Sequence, residues 1–180
     1  MKRNILVFGT ISGLIVSAFM ATSMALMGCS ASEGNMTIGM IIGFASMAVA
    51  FTFIFVAIKN YRDKQNGGTI TFGKAFLLGL MVSLIASTMY VITWGIEFHY
   101  FLPDFMDKYS AMQVKEMQAS GISGAELEKA LKGIEEMNFS YKNNILFFTF
   151  ATYMEIFPVG LLITLISALI LKKKPNVQTA

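Results

Sequence analysis

The stretch KNYRDKQNGGTITFGK, residues 59–74, sets Lys59, Arg62, Lys64 and Lys74 against a single acid, Asp63. Apolar runs of about 20 residues flank it on both sides, long enough to cross a bilayer. Basic connections stay on the cytoplasmic side of a membrane. Residues 59–74 therefore read as a cytoplasmic loop that fixes the orientation of the whole chain. Within it, Asn66-Gly67-Gly68 is a turn signal, because asparagine and glycine tolerate positive φ. The β-branched Thr69-Ile70-Thr71 that follows predicts a short extended piece. The glycines lack the spacing and the Lys-Ser/Thr ending of a phosphate-binding P-loop.

Composition agrees with a membrane solvent. Of 180 residues, 55% are hydrophobic and only 14% charged, with a mean hydropathy of +0.62. One soluble core cannot hide that much apolar surface, so the excess faces lipid. The net charge of +3 comes from lysines and arginines at the ends of apolar runs, which argues for membrane orientation rather than nucleic-acid binding. One cysteine, Cys29, excludes an internal disulfide framework, and one histidine, His99, leaves no histidine-rich metal centre. The fourteen methionines and sixteen phenylalanines read as packing and lipid-facing residues.

Working outward, four spans are expected at about residues 5–27, 37–58, 75–100 and 145–171. Small residues recur every fourth position along them: Gly9, Gly13, Ser17, Ala21 and Ala25; Gly39 and Gly43; Ala75, Gly79, Ser83 and Ser87; Gly160, Thr164 and Ala168. Such ladders let neighbouring helices approach closely. The end of the first run, Leu26-Met27-Gly28-Cys29, also resembles a bacterial lipoprotein signal, in which Cys29 is lipidated. Its apolar core exceeds the roughly 7–15 residues usual for a signal peptide, so a retained helix is the preferred reading. Trp94, Tyr90 and Tyr100 sit toward the far end of the third span, as an outer aromatic belt does.

Residues 103–143 form the one sizeable polar segment, read as an extracytoplasmic helical hairpin. Phe105, Tyr109 and Met112 share one helical face, as do Leu127, Leu131 and Ile134. Gly121 and Gly124 separate the two patterns, and Ser123 with Glu126 is a candidate capping box. Nine of the fourteen basic residues lie at the amino terminus, in residues 59–74 or at Lys172–Lys174. With four spans these places share a side, so both termini are expected in the cytoplasm. The tail from Pro175 to Ala180 is expected to be disordered.

Charges inside spans are costly and mark candidate sites. Glu97 lies about 34 Å along a helix from Lys74, and Glu155 about 25 Å from Lys172, at 1.5 Å per residue. Both fall near the outer boundary of a hydrocarbon core about 30 Å thick. Glu97, His99 and Glu155 are thus a candidate polar site able to hold a cation or pass a proton, with Pro158 as a helix hinge. The opposing reading, which weighs more, is that these carboxylates reach interfacial water or bond to nearby threonine and tyrosine hydroxyls. No nucleophile–base pair or metal-ligand spacing marks an enzyme.

Tyr61 and NGGTITFGKAFLLG, with Gly67, Gly68, Ile70, Phe72, Ala75, Phe76 and Gly79, resemble the domain of unknown function 4199 family of small bacterial membrane proteins. The hydropathy layout is similar over nearly the whole chain. The resemblance implies four spans in a bacterial inner membrane and supplies neither an activity nor site residues.

The expectation is therefore an all-α protein: one integral membrane domain over residues 1–180, a four-span bundle with an outer hairpin between spans three and four. Its expected role is non-enzymatic, structural or partner-binding, without a cofactor. The partners expected are membrane lipid, a second copy or another membrane protein. The alternative is a transporter-like or ion-binding bundle using Glu97, His99 and Glu155.

Overall fold

Long apolar runs fold as helices because a helix satisfies every backbone hydrogen bond within one segment, the condition for lying in hydrocarbon. The computed structural model describes residues 1–30 and 36–173; the side chains of 25–30 and 36–40 lie outside that description. It contains helices α1 (Lys2–Ser30), α2 (Met36–Gln65), α3 (Phe72–Ile96), α4 (Phe105–Ala119), α5 (Gly124–Asn143) and α6 (Ile145–Leu171), with a π turn at Glu97–Phe101 after α3. Four helical stretches are long and apolar enough to cross a membrane: Lys2–Met24, Ile41–Gln65, Phe72–Phe101 and Ile145–Leu171. The chain divides into two compact units, Met1–Trp94 with Tyr153–Ala180, and Gly95–Thr152.

The first unit is a four-helix bundle, and two of the small-residue ladders are its seams. A Cβ at Gly9 would stand 2.9 Å from Ile85 Cβ, and one at Gly13 would run into the Met89 side chain, 2.9 Å from its Cβ. One further turn along, Thr93 Oγ1 donates to Ser17 Oγ at 3.1 Å. Positions 9, 13 and 17 of α1 thus mesh with 85, 89 and 93 of α3. On its other face α3 meets α6: a Cβ at Gly79 would lie 2.7 Å from Thr164 Cγ2. Ser83 and Thr164 hydroxyls bond at 3.1 Å. Gly160 is pressed between Ser83 and Phe51, the latter from α2. Phe51, Ile54, Leu78, Val82, Ile156 and Thr164 are almost wholly buried around this centre. Leu6, Leu14, Ile41, Val49, Ile92, Leu162 and Ile170 point outward, the apolar exterior that lipid contact requires.

Two ladders do not extend as expected. Ala21 is exposed, and nothing lies within 4 Å of a Cβ built at Gly43. The buried face of α2 is instead Met47, Ala50, Phe51, Ile54, Ala57 and Ile58, where bulk fills the contact. Gly39 and Ala25 lie outside the described side chains.

Residues 59–65, expected as loop, are helical: α2 continues to Gln65. Lysine, arginine and glutamine are good helix formers, so nothing stops the helix before Asn66. Gly67 (φ 61°) and Gly68 (φ 77°) then reverse the chain, and the Gly68 N–H donates to the Arg62 carbonyl at 2.8 Å. The expected extended piece narrows to Ile70, which pairs antiparallel with Lys173 through bonds of 3.0 and 2.8 Å.

These contacts gather one polar end of the bundle. Asn4, 4% exposed, donates to Asn60 Oδ1 at 3.2 Å and to the Ala57 carbonyl at 3.4 Å. Gln65 Nε2 donates to Asn4 Oδ1 at 2.6 Å. Arg62 binds Asp63 at 2.6 Å and reaches the Leu171 carbonyl at 3.4 Å. The start of α1, the α2–α3 connection and the end of α6 therefore share one end, as the basic-residue count requires. The tail beyond Lys173 lies outside the described residues.

In the second unit, the end of α3, the π turn, α4, α5 and the start of α6 pack around aromatic rings. Phe98, Tyr141 and Phe148 contact one another with ring centres 4.8–5.5 Å apart. Helix α4 ends at Gly121 (φ 86°). Its last carbonyls are taken by the Gly121 N–H (to Gln118) and the Ile122 N–H (to Met117), a Schellman ending. Ser123 caps α5 by position, with extended backbone, but its side chain makes no capping bond. The expected capping box does not close. Asn138 Nδ2 donates to Ser110 Oγ at 2.5 Å, and Lys142 pairs with Asp107 at 2.9 Å, tying α5 to α4.

Candidate functional site

Glu155 projects from α6 in the first unit, three residues before Pro158. Its Oε1 accepts a hydrogen bond from the Tyr90 hydroxyl of α3 at 3.1 Å. Tyr90 itself is buried, whereas the Glu155 side chain is exposed at the bundle surface. This is the tyrosine bond that the sequence offered as the opposing reading, supplied by the facing helix. Two residues earlier, Tyr153 pairs with Thr88 at 2.6 Å across the same two helices. Pro158 lacks an N–H for the Met154 carbonyl, and α6 runs through it as one helix.

Glu97 and His99 belong to the second unit and sit on the π turn. Glu97 is half-buried, and its Oε2 has no hydrogen-bond partner. His99 is exposed, with Nδ1 2.9 Å from the Gly95 carbonyl. A carbonyl only accepts, so Nδ1 carries the proton and Nε2 is the ring atom left for other partners. The imidazole meets Phe98 and Phe148 edge-on at 5.2 and 5.6 Å. Residues two apart on a helical turn do not face each other, and no hydrogen bond joins Glu97 to His99. Among the described residues there is no group of three His, Cys, Asp or Glu placed to hold a metal ion.

The Cys29 side chain lies outside the described residues, and the lipidation reading with it. Helix α1 runs through that position to Ser30.

Two features escaped the sequence reading. Asn4 looked like a polar residue ahead of an apolar run, yet it is buried and bridges α1 to α2; a lone amide between Arg3 and Ile5 was the available signal. The second is a groove of about 450 Å³ between α4 and α5, lined by Ser110, Val114, Leu131, Ile134 and Asn138 among others. Asn138 Oδ1 is buried without a hydrogen-bond partner, as is Gln113 Oε1 elsewhere on α4.

One family model, described as "Protein of unknown function (DUF4199)", matches residues 7–173. No curated protein and no solved structure matches the chain.

Proposed function

The chain belongs to the DUF4199 family of proteins of unknown function, and from that premise we propose that it is a non-enzymatic, multi-pass protein of the bacterial inner membrane that acts by contact with a partner. The observation that carries this reading is α5: none of its twenty residues is buried, and Leu131, Met137 and Phe139 are exposed along it. A helix that satisfies so little of its apolar surface within its own chain is suited to contact another. The first unit, by comparison, is filled at its centre by direct packing of Phe51, Ile54, Gly79, Ser83, Gly160 and Thr164, which favours a structural bundle over a conduit.

Orientation follows from charge. The amino terminus, residues 59–74 and Lys172–Lys173 lie at one end and carry eight of the fourteen basic residues, so that end is cytoplasmic. Residues 103–143 then lie outside the cytoplasm. Cysteine-accessibility mapping checks this: labels at positions 2, 67 and 172 should be shielded from impermeant reagent in intact cells, and labels at 121 and 133 should react.

The partner reading is tested by photo-crosslinking from Leu131 and Phe139 in native membranes. It expects discrete adducts at these two positions that vanish when residues 105–143 are replaced by a short linker in a bundle that still inserts. No adduct from either position, with the linker variant fully active, defeats it.

A second reading rests on the unpartnered Glu97 oxygen and on a carboxyl at Glu155 within an apolar helix. It makes the chain a transporter-like or ion-binding bundle with Glu97, His99 and Glu155 as its polar groups and Pro158 as its hinge. Glu97→Gln and Glu155→Gln variants that keep both fold and phenotype remove it.

A further inference from the structure

At the polar end of the bundle, α1 and α2 leave a groove of about 380 Å³, within the size range of small-ligand sites. Its floor is made of amides: Asn4, Asn60 and Gln65 line it and are fixed by the bonds Asn4 makes to Ala57 and Asn60 and receives from Gln65. Its rim carries Arg3 and Lys64, both exposed and neither ion-paired among the described residues. Asp63, the acid next to Lys64, is already held by two bonds from Arg62 at 2.6 and 3.1 Å. The groove is therefore cationic, with no free carboxylate beside it.

Its lower wall differs. Val7 and Phe8 complete the lining, and Val7 is 46% exposed. Arg3 and Val7 are four residues apart, about 6 Å along α1, the thickness of a headgroup layer rather than of a hydrocarbon core. Lys64 lies six residues beyond Ile58, the last apolar residue of its run, about 9 Å along α2. The cations stand where phosphates lie, and the apolar wall stands where acyl chains begin. Basic pockets between membrane helices at this level hold anionic lipid headgroups.

We infer that the α1–α2 groove is a binding site for one anionic phospholipid, with the phosphate between Arg3 and Lys64, the headgroup hydroxyls or ester oxygens on the amides of Asn60 and Gln65, which Asn4 holds in place, and the first acyl segment against Val7 and Phe8. The inference rests on the membrane reading of the bundle and is independent of what the hairpin contacts.

The test is lipid retention by the full-length protein purified in detergent, where membrane orientation plays no part. Phosphatidylglycerol is offered in competition with phosphatidylcholine, and bound lipid is counted by native mass spectrometry. Wild type should retain one phosphatidylglycerol in preference. Arg3→Gln and Lys64→Gln should each weaken that preference about fivefold, in line with one surface cation apiece, and the pair should abolish it. Val7→Trp fills the groove while leaving both cations, and it should also abolish retention. Lys129→Gln with Lys132→Gln, on α5, should change nothing.

Retention by the Val7→Trp variant means that charge alone attracts lipid, and the site falls. Equal loss in the α5 pair overturns it in the same way. Full competition by inorganic phosphate at equal concentration assigns the groove to a soluble anion and overturns the lipid. Circular dichroism and melting curves matching wild type establish that each variant is folded. A negative result alongside intact hairpin crosslinks leaves the partner reading standing, so the two fail separately.

Discussion

Ten of the twenty-five residues of α3 are buried, from Ala75 to Trp94, whereas none of the twenty residues of α5 is, although both helices carry apolar side chains at helical spacing. The difference lies in what faces them. Helix α3 has small residues on the face toward α6 and presents Ile85 and Met89 to the glycines of α1, so both flanks close at contact distance. Helix α5 meets α4 through one amide–hydroxyl bond and one exposed ion pair, and beyond that it is held near its end by Tyr141, which packs on Phe98 and Phe148 and bonds the Thr152 hydroxyl at 3.1 Å. Apolar spacing says that a helix has a face; complementary shape on a second helix decides whether this chain covers it.

The contrast breaks most easily at Gly79. Gly79→Leu drives a side chain into Thr164 and Ile54, 2.7 and 3.0 Å from where a Cβ would stand, and should destabilise the bundle by about 3 kcal/mol or prevent its assembly. Unfolding of purified protein in mixed detergent measures it, with Gly43→Leu as the control expected to be silent because nothing surrounds that position. A smaller effect is expected for the buried Ser83–Thr164 pair. A double-mutant cycle with Ser83→Ala and Thr164→Val should give a coupling of about 0.6 kcal/mol, in the ordinary range for hydrogen bonds between membrane helices. On α5, Leu131→Ala should change stability by less than about 0.5 kcal/mol, as surface substitutions do, while weakening hairpin crosslinks. A loss as large as that from Gly79→Leu would show that α5 is structurally committed after all. Smallest is Lys142→Ala, whose partner Asp107 is 67% exposed; it should be barely measurable at ordinary salt.

Much of this was legible in the chain. The four apolar runs gave the spans, with α6 matching residues 145–171 to the residue, because lysines and a polar connection stop an apolar run abruptly. The ladders at Gly9–Gly13 and Gly79–Ser83 were readable because a close helix approach leaves only small residues as solutions. Polarity over residues 59–65 does not mean loop, because charged side chains with long stems extend a helix into the headgroup region readily, and α2 runs to Gln65. The Gly43 ladder misled because a spacing of four is common in membrane helices whether or not a neighbour is present. Tyr90 meeting Glu155 depends on how α3 and α6 are rotated about their axes, which no local pattern encodes. The groove between Arg3 and Lys64 was hidden for the same reason, since its two sides come from chain segments some sixty positions apart.

The pairing of Ile70 with Lys173 joins two points separated by most of the polypeptide. During synthesis the first partner emerges long before the second exists, so the clasp can fasten only once α6 has been threaded and its lysines have returned to the side of the earlier connection. A helix α6 inserted the wrong way round could never fasten it, which makes this two-bond latch a natural register of how α6 was placed.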